Sequence, residues 1–257
     1  MTNYKLKTIS TTEKDLLNKK SSWYDYEQSI SEKYKEFFYD ELLFDLARPW
    51  PLEIKDCKFF AGSGKDEEEK DDDRWAFRGH GGTISVNDYP SSLKNIENWE
   101  YIFNKYKPKF ILETGTNSGI FGFLCYKFLD NDFELTTIDC EPNSAICVDE
   151  VNKYFNNNLI EFHKINIPWH LKDFHTETQF DFAFIDSGHD EEILTAEINF
   201  CINEDIPIIV FDDYTLPEVD KMINKFLDDN QDYEVVEVFN GIEGSGMGDL
   251  KIVKRND

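Results

Sequence analysis

Four side chains in the C-terminal half have the types and spacing for chemistry on a hydroxyl group. The apolar run Phe180–Ile185 is followed at once by Asp186, and Ile206–Phe211 by the pair Asp212-Asp213. Both runs read as buried strands. In a parallel sheet their ends share one edge, so the three acids can converge over a ligand crevice. Buried carboxylates repel one another unless a cation or a proton intervenes. Oxygen donors suit Mg²⁺, which keeps coordination positions open for substrate oxygens, and a chelated hydroxyl gives up its proton more readily. His189 stands three residues after Asp186 and is the candidate general base, because an imidazole with an ordinary pKa near ~6.5 can take a proton near neutrality. Structural alternatives exist for each. Asp186 can cap the following helix, Asp212 or Asp213 can accept backbone N–H groups, and His189 can hydrogen-bond a bound cofactor. His163, His170 and His175 have no partner pattern and are read as structural.

Two stretches upstream would position a ligand against these groups. Phe110-Ile-Leu-Glu-Thr-Gly-Thr-Asn-Ser-Gly119 is a short apolar run, a Gly-rich turn and then the helical pattern Ile120–Leu129. A strand–turn–helix unit of this kind presents backbone N–H groups and a helix N-terminus at the carboxyl end of a sheet, where open α/β sheets bind nucleotide-like ligands. Glu134–Asp139 is a second strand ending in an acid, twenty residues beyond Gly119, where a carboxylate can take ribose hydroxyls. The glycines are spaced Gly115-x-x-x-Gly119, without the middle glycine that lets a pyrophosphate approach. A ribose-bearing ligand without a pyrophosphate fits better.

Glu113-Thr-Gly-Thr-Asn-Ser-Gly119 resembles the first motif of class I S-adenosylmethionine-dependent methyltransferases, and Ile138-Asp-Cys-Glu141 resembles their ribose-binding acidic loop. Phe180–His189 and Ile208–Tyr214 are similar to the fourth and fifth strands of small-molecule O-methyltransferases of the catechol, macrocin and cephalosporin-biosynthesis types. The resemblance spans roughly Trp99 to Lys254 and rests on four motifs in the right order. It implies S-adenosyl-L-methionine as cofactor. Glu113, Thr114 and the backbone of Gly115, Thr116, Asn117, Ser118 and Gly119 would face its methionine part, and Asp139 would hold the ribose with Cys140 and Glu141 beside it. Asn166 would contact the adenine side, and Asp186 would lie against the cofactor as well as the metal. The same resemblance puts Mg²⁺ on Asp186, Asp212 and Asp213 and sets His189 and Asp186 in the catalytic roles. Trp169 would stack on a ring or belong to the core. The chain departs from the family where Asn203-Glu-Asp-Ile-Pro207 replaces the usual Pro-Gly-Gly turn.

Between these motifs β and α patterns alternate, which predicts an α/β fold: a doubly wound, Rossmann-like, mostly parallel seven-stranded sheet. Tyr233–Phe239 and Leu250–Lys254, joined by the Gly-rich segment Asn240–Gly248, would form an antiparallel ending. Residues 96–257 would make the cofactor-binding domain and residues 1–95 an N-terminal extension. Within the extension Met1–Ser22 is polar and aperiodic. Ile30, Tyr34, Phe37, Phe38, Leu42 and Leu46 predict one amphipathic helix over Glu27–Ala47, packed on the main domain or shaping a pocket or dimer contact. Gly62–Asp73 reads as a solvated acidic loop, and Arg78-Gly-His-Gly-Gly82 as a lid or an ordinary turn.

With 52 acidic against 27 basic residues in 257, the net charge is −25. Nucleic-acid affinity rests on Lys and Arg neutralising phosphates, so a nucleic-acid partner is not expected. No apolar run is long enough to cross a membrane, and Met1–Ser10 lacks the apolar centre of a signal peptide. Five cysteines with no C-x-x-C pair read as reduced, mostly buried thiols of a cytoplasmic protein. The expected activity is methylation of a hydroxyl on a small molecule, a sugar among the candidates. Rival readings are a cofactor-binding module without catalysis and a nicotinamide-dependent oxidoreductase. Substrate identity and assembly into a homo-oligomer are left open by the sequence.

Overall fold

Short β-branched and aromatic runs bounded by charged or Gly-rich turns form seven strands in the computed structural model, which describes residues 32–47, 84, 89–141, 144–242 and 248–256. The polar N-terminus, the start of the first expected helix, the Gly62–Asp73 run, the Arg78–Gly82 segment, Cys57 and the middle of the Asn240–Gly248 loop lie outside these residues.

A 3₁₀ turn at Glu32–Tyr34 runs into α1 (Lys35–Phe38), followed by α2 (Glu41–Ala47) and α3 (Tyr89–Tyr106). The main alternation is β1 (Phe110–Thr114), α4 (Ile120–Phe128), β2 (Glu134–Asp139), α5 (Ser144–Tyr154), β3 (Ile160–Lys164), β4 (Phe182–Ile185), α6 (Glu191–Asn203), β5 (Ile208–Phe211) and α7 (Pro217–Asp229). It closes with β6 (Tyr233–Phe239) and β7 (Leu250–Arg255). The strand order is β3-β2-β1-β4-β5-β7-β6. Strands β1 to β5 pair in parallel and β6 pairs antiparallel with β7, as the sequence pattern predicts, and the structure places β7 between β5 and β6.

Alternation along the strands sorts side chains onto two cores, because successive residues of a strand point to opposite faces. Phe182 and Phe184 of β4 join the core under α3, α4 and α5, while Ala183 and Ile185 join the core under α6 and α7. On the first face Trp99 packs edge-on against Phe121 at 4.8 Å and Phe184 at 4.7 Å. This aromatic layer fixes α3 and α4 against β4, and with them the turn between β1 and α4.

The single helix expected over Glu27–Ala47 is instead broken at Tyr39–Asp40 among the described residues. Asp40 Oδ1 accepts the N–H groups of Leu42 (3.0 Å) and Leu43 (3.1 Å), the pattern of an N-cap. The cap restarts the helix as α2. Asp40 Oδ2 also accepts the Tyr154 hydroxyl at 2.8 Å and lies 3.3 Å from Lys127 Nζ. Phe37 stacks on Phe128 at 5.2 Å, so this region packs against α4 and α5.

Candidate active site

Every group singled out in the motifs lies at the carboxyl ends of the central strands. The turn after β1 is held by its glycines. Gly115 has φ +89°, and a Cβ there would sit 2.0 Å from the Asp186 carbonyl oxygen. Glycine is required twice at this position, by its left-handed backbone and by the direct approach of the chain after β4. Asn117 is also left-handed at φ 46°, a conformation asparagine tolerates, and Gly119 at φ +75° opens α4.

Glu113 is buried behind this turn at 2% exposure. Its carboxylate accepts the Thr137 hydroxyl, and Thr137 is also 2.6 Å from the Thr116 hydroxyl. Burial pushes the Glu113 carboxyl up to about 8, with the Asp139 charge adding and the Thr137 bond opposing. Asp139 at the end of β2 is a clamp. It accepts the N–H of Asn117 at 2.8 Å, the N–H of Glu141 at 2.9 Å and the Ser144 hydroxyl at 3.0 Å. One residue thus ties the turn after β1 to the loop after β2. Glu141 is half-buried beside it, and burial raises its carboxyl. Cys140 is exposed, while Cys125, Cys147 and Cys201 are buried, and all four are free.

Asp186 and Asp212 follow adjacent strands and meet. Their carboxyl groups approach closely enough to share a hydrogen bond, which two acids form only with a proton between them. Burial and the charges of Asp212, Asp213 and Glu113 hold the Asp186 carboxyl well above the usual carboxylate range. Asp212, 5% exposed, is pushed up to about 8 by burial and by the Asp213 charge.

The expected convergence of three carboxylates is met only in part. Asp213, left-handed at φ 51°, lies with Oδ2 3.0 Å from His189 Nε2. Among the described residues no group of three or more His, Cys, Asp or Glu side chains is placed to hold a metal ion. Asp186 and Asp212 alone still offer the oxygen donors that a hard cation with water and substrate ligands takes. Of the structural alternatives, Asp212 does accept one backbone amide, Asp213 N at 2.9 Å. Asp186 caps nothing, because Asp190 occupies the N-cap of α6. The hydrogen bond to Asp213 raises the His189 pKa above its ordinary value, against desolvation and with help from the charges of Asp213, Asp212 and Glu197.

Asn166 is exposed after β3, its carbonyl accepting His170 N at 3.1 Å. Trp169 is 60% exposed, which rules out the core reading and leaves its ring free to stack. Two residues escaped the sequence reading. Thr137 is a hydroxyl on a buried strand. Glu197 is an acid in register with the apolar residues Leu194 and Cys201 (i−3 and i+4), and that misfit is the signal that it has a partner inside.

No protein-family profile matches the chain, and no curated protein matches it by sequence. Solved structures do. A putative O-methyltransferase from Klebsiella pneumoniae is 14% identical with TM-score 0.54, covering 69% of this chain and 86% of its own. The O-methyltransferase from Bacillus cereus, in complex with S-adenosylhomocysteine, is 16% identical with TM-score 0.53 over 69% and 86%. The O-methyltransferase TomG from Streptomyces achromogenes, in complex with S-adenosylmethionine, is 17% identical with TM-score 0.52 over 63% and 79%. The chain has the methyltransferase fold. At these identities the likeness is one of architecture. Among the described residues no helix is long and apolar enough to cross a membrane.

Proposed function

We propose that this protein is an S-adenosylmethionine-dependent O-methyltransferase acting on a hydroxyl of a small molecule, with Mg²⁺ assistance. The observation that carries the reading is the meeting, on one edge of a methyltransferase-type sheet, of the Glu113–Gly119 turn, the Asp139 loop and the Asp186–Asp212 and Asp213–His189 pairs. S-adenosylmethionine supplies a methyl group on a sulfonium, which leaves as a neutral thioether.

On this reading the protein positions and deprotonates the nucleophile. The Glu113 carboxylate and the backbone of Thr116 and Ser118 face the methionine end, the N–H groups of Gly115, Asn117 and Gly119 being bonded within the fold. The remaining acceptor capacity of Asp139, with Glu141, takes the ribose hydroxyls. Asp213 holds His189 Nε2, so Nδ1 is the nitrogen turned to the substrate hydroxyl, and the oxygen attacks the methyl carbon in line as its proton leaves. Asp186 and Asp212 would hold Mg²⁺, which would make the substrate hydroxyl more acidic.

The test is a calorimetric titration of the purified protein with S-adenosylmethionine and S-adenosylhomocysteine, with and without Mg²⁺. Methyl transfer from labelled cofactor to a panel of catechols and sugars follows. Saturable binding with label in a hydroxyl ether is the expected result. No binding under any condition overturns the reading, and binding without turnover on any hydroxyl acceptor points to a cofactor-binding module.

A further inference from the structure

Behind the loop that carries Asp186 and His189 lies a carboxylate with no part in the proposed transfer. Glu197, on the second turn of α6, is 0% exposed. Its Oε1 accepts the Ser187 hydroxyl, and Ser187 sits between Asp186 and His189. Its other oxygen, Oε2, is buried without a partner, as is Oγ1 of Thr114 at the end of β1. The Thr114 hydroxyl is nonetheless among the groups that pull the Glu197 carboxyl down from the rise caused by burial. Both orphan atoms are thus buried in the same junction, and the Thr114 hydroxyl lies near enough to act on the Glu197 carboxyl. On the opposite side of the same junction, Gly115 lies directly against the Asp186 carbonyl and Ser187 Cα.

We propose that Glu197 is a positioning residue that ties the end of β1, through Thr114, to the loop after β4, through Ser187, and so holds His189 on Asp213. A fully buried carboxylate in an otherwise apolar helix face costs free energy unless its partners are polar and fixed. Here both partners belong to the two segments that bracket the candidate site. Leu in its place would fill the volume, and two hydroxyls would be left behind without an acceptor. A catalytic consequence rests on the methyltransferase reading. The positional claim does not.

The experiment follows the His189 imidazole by NMR titration in the full-length chain, the resonance assigned by its loss in His189→Gln. It compares the wild type with Glu197→Gln, Glu197→Leu, Ser187→Ala and the Glu197→Leu/Ser187→Ala double variant, with melting curves for each. The groups facing His189 are Asp213, Asp212 and Glu197, and only the last is altered. The expected wild-type midpoint lies above the ordinary imidazole value. Ser187→Ala and Glu197→Leu should each lower it by about half a unit or more, as the Asp213 contact loosens. The double variant should shift no further than the larger single, and Glu197→Gln, which keeps an acceptor for Ser187, should retain most of the midpoint.

A shift in Glu197→Leu and Glu197→Gln alike, with none in Ser187→Ala, means the carboxylate acts by charge alone and overturns the proposal. No shift in any variant overturns it as well. Should Glu197→Leu fail to fold, Ser187→Ala decides, because it leaves the buried acid in place and removes only its link to the loop. If the wild type binds no S-adenosylmethionine, the functional reading falls while this titration still decides whether Glu197 positions His189.

Discussion

Replacing Glu113 by Gln should stabilise the ligand-free protein, and by more the higher the pH. Glu113 is 2% exposed, and burial raises its carboxyl from 4.5 to about 8. An acid whose pKa rises on folding binds its proton more tightly in the native state. Its contribution is complete below the unfolded pKa and is lost as pH rises towards the folded one. Between pH ~4.5 and ~8 the unfolded chain is deprotonated and the native one protonated, so stability falls by about 1.4 kcal/mol per pH unit on account of this residue. Gln keeps the shape and an acceptor for Thr137 and removes the titration. From pH 6 to pH 8 the gap between variant and wild type should therefore widen by about 2–3 kcal/mol, or about 5–10 °C in Tm for a domain of this size. Asp212 and Glu197 are common to both proteins and cancel in the difference between the two melting curves. Asp186, whose carboxyl the Glu113 charge also raises, is eased by the substitution only where Glu113 is ionised, which widens the gap in the same direction. The assay is thermal unfolding followed by circular dichroism at half-unit steps of pH without cofactor or metal. A gap that stays constant across this range would refute the reasoning, because it would mean that Glu113 is already ionised in the folded protein.

Gly115→Ala should cost more than ~3 kcal/mol, since it adds a Cβ 2.0 Å from a backbone carbonyl at a left-handed φ of +89°, and neither neighbour can give way; a Tm within a few degrees of wild type would show that the two segments move apart freely. Asp40→Ala removes an N-cap, the acceptor of Tyr154 and the partner of Lys127 together. The expected loss is about 2–4 kcal/mol by chemical denaturation, and a loss under ~1 kcal/mol would mean that α1 and α2 are held by their apolar contacts alone. Asp212→Asn leaves Asp186 without its acidic partner and should abolish any rise of Tm with Mg²⁺; an unchanged Mg²⁺ response would place the cation elsewhere.

The sheet was legible because its signals are local and redundant. Phe110 to Leu112 and Phe182 to Ile185 are apolar runs that read as buried strands, and each leads to acidic or Gly-rich residues of the kind found at the edge of a sheet. The Asp139 position was legible from spacing, yet its role as a clamp was not, because the donors that engage it come from Asn117, Glu141 and Ser144. The Asn117 bond appears only once β1 and β2 are paired. The break at Asp40 was hidden by a continuous apolar stripe, Tyr34 to Leu46, that overrode the capping signal of a lone aspartate. Asp213 shows the same limit on a finer scale. Sequence puts it beside Asp212, but a left-handed φ of 51° rotates its carboxylate to His189, which no neighbour-by-neighbour reading can anticipate. Glu197 is the reverse case. Its misfit with Leu194 and Cys201 was visible, but the partner Ser187, ten residues earlier, is defined by the turn of the chain into α6.

These raised acids carry one more consequence for the proposed cofactor. Without a ligand, Glu113 and Asp212 titrate at about 8 and Glu197 at about 7, so near neutrality the site holds protons that a cation would displace. S-adenosylmethionine brings an ammonium and a sulfonium to this edge, and Glu113 can pair with a positive group only after losing its proton. Binding and deprotonation are then linked, and affinity should rise with pH by up to about tenfold per unit below pH ~8 and level off above it. Calorimetry in two buffers of different ionisation enthalpy reads the same linkage directly as proton release, close to one at pH 7. In Glu113→Gln the release should fall and the affinity should become weak and nearly independent of pH. Equal affinity at pH 6 and pH 8 with no proton released would show that the cofactor's positive groups do not approach Glu113, and the methionine end would have to be placed against another side chain.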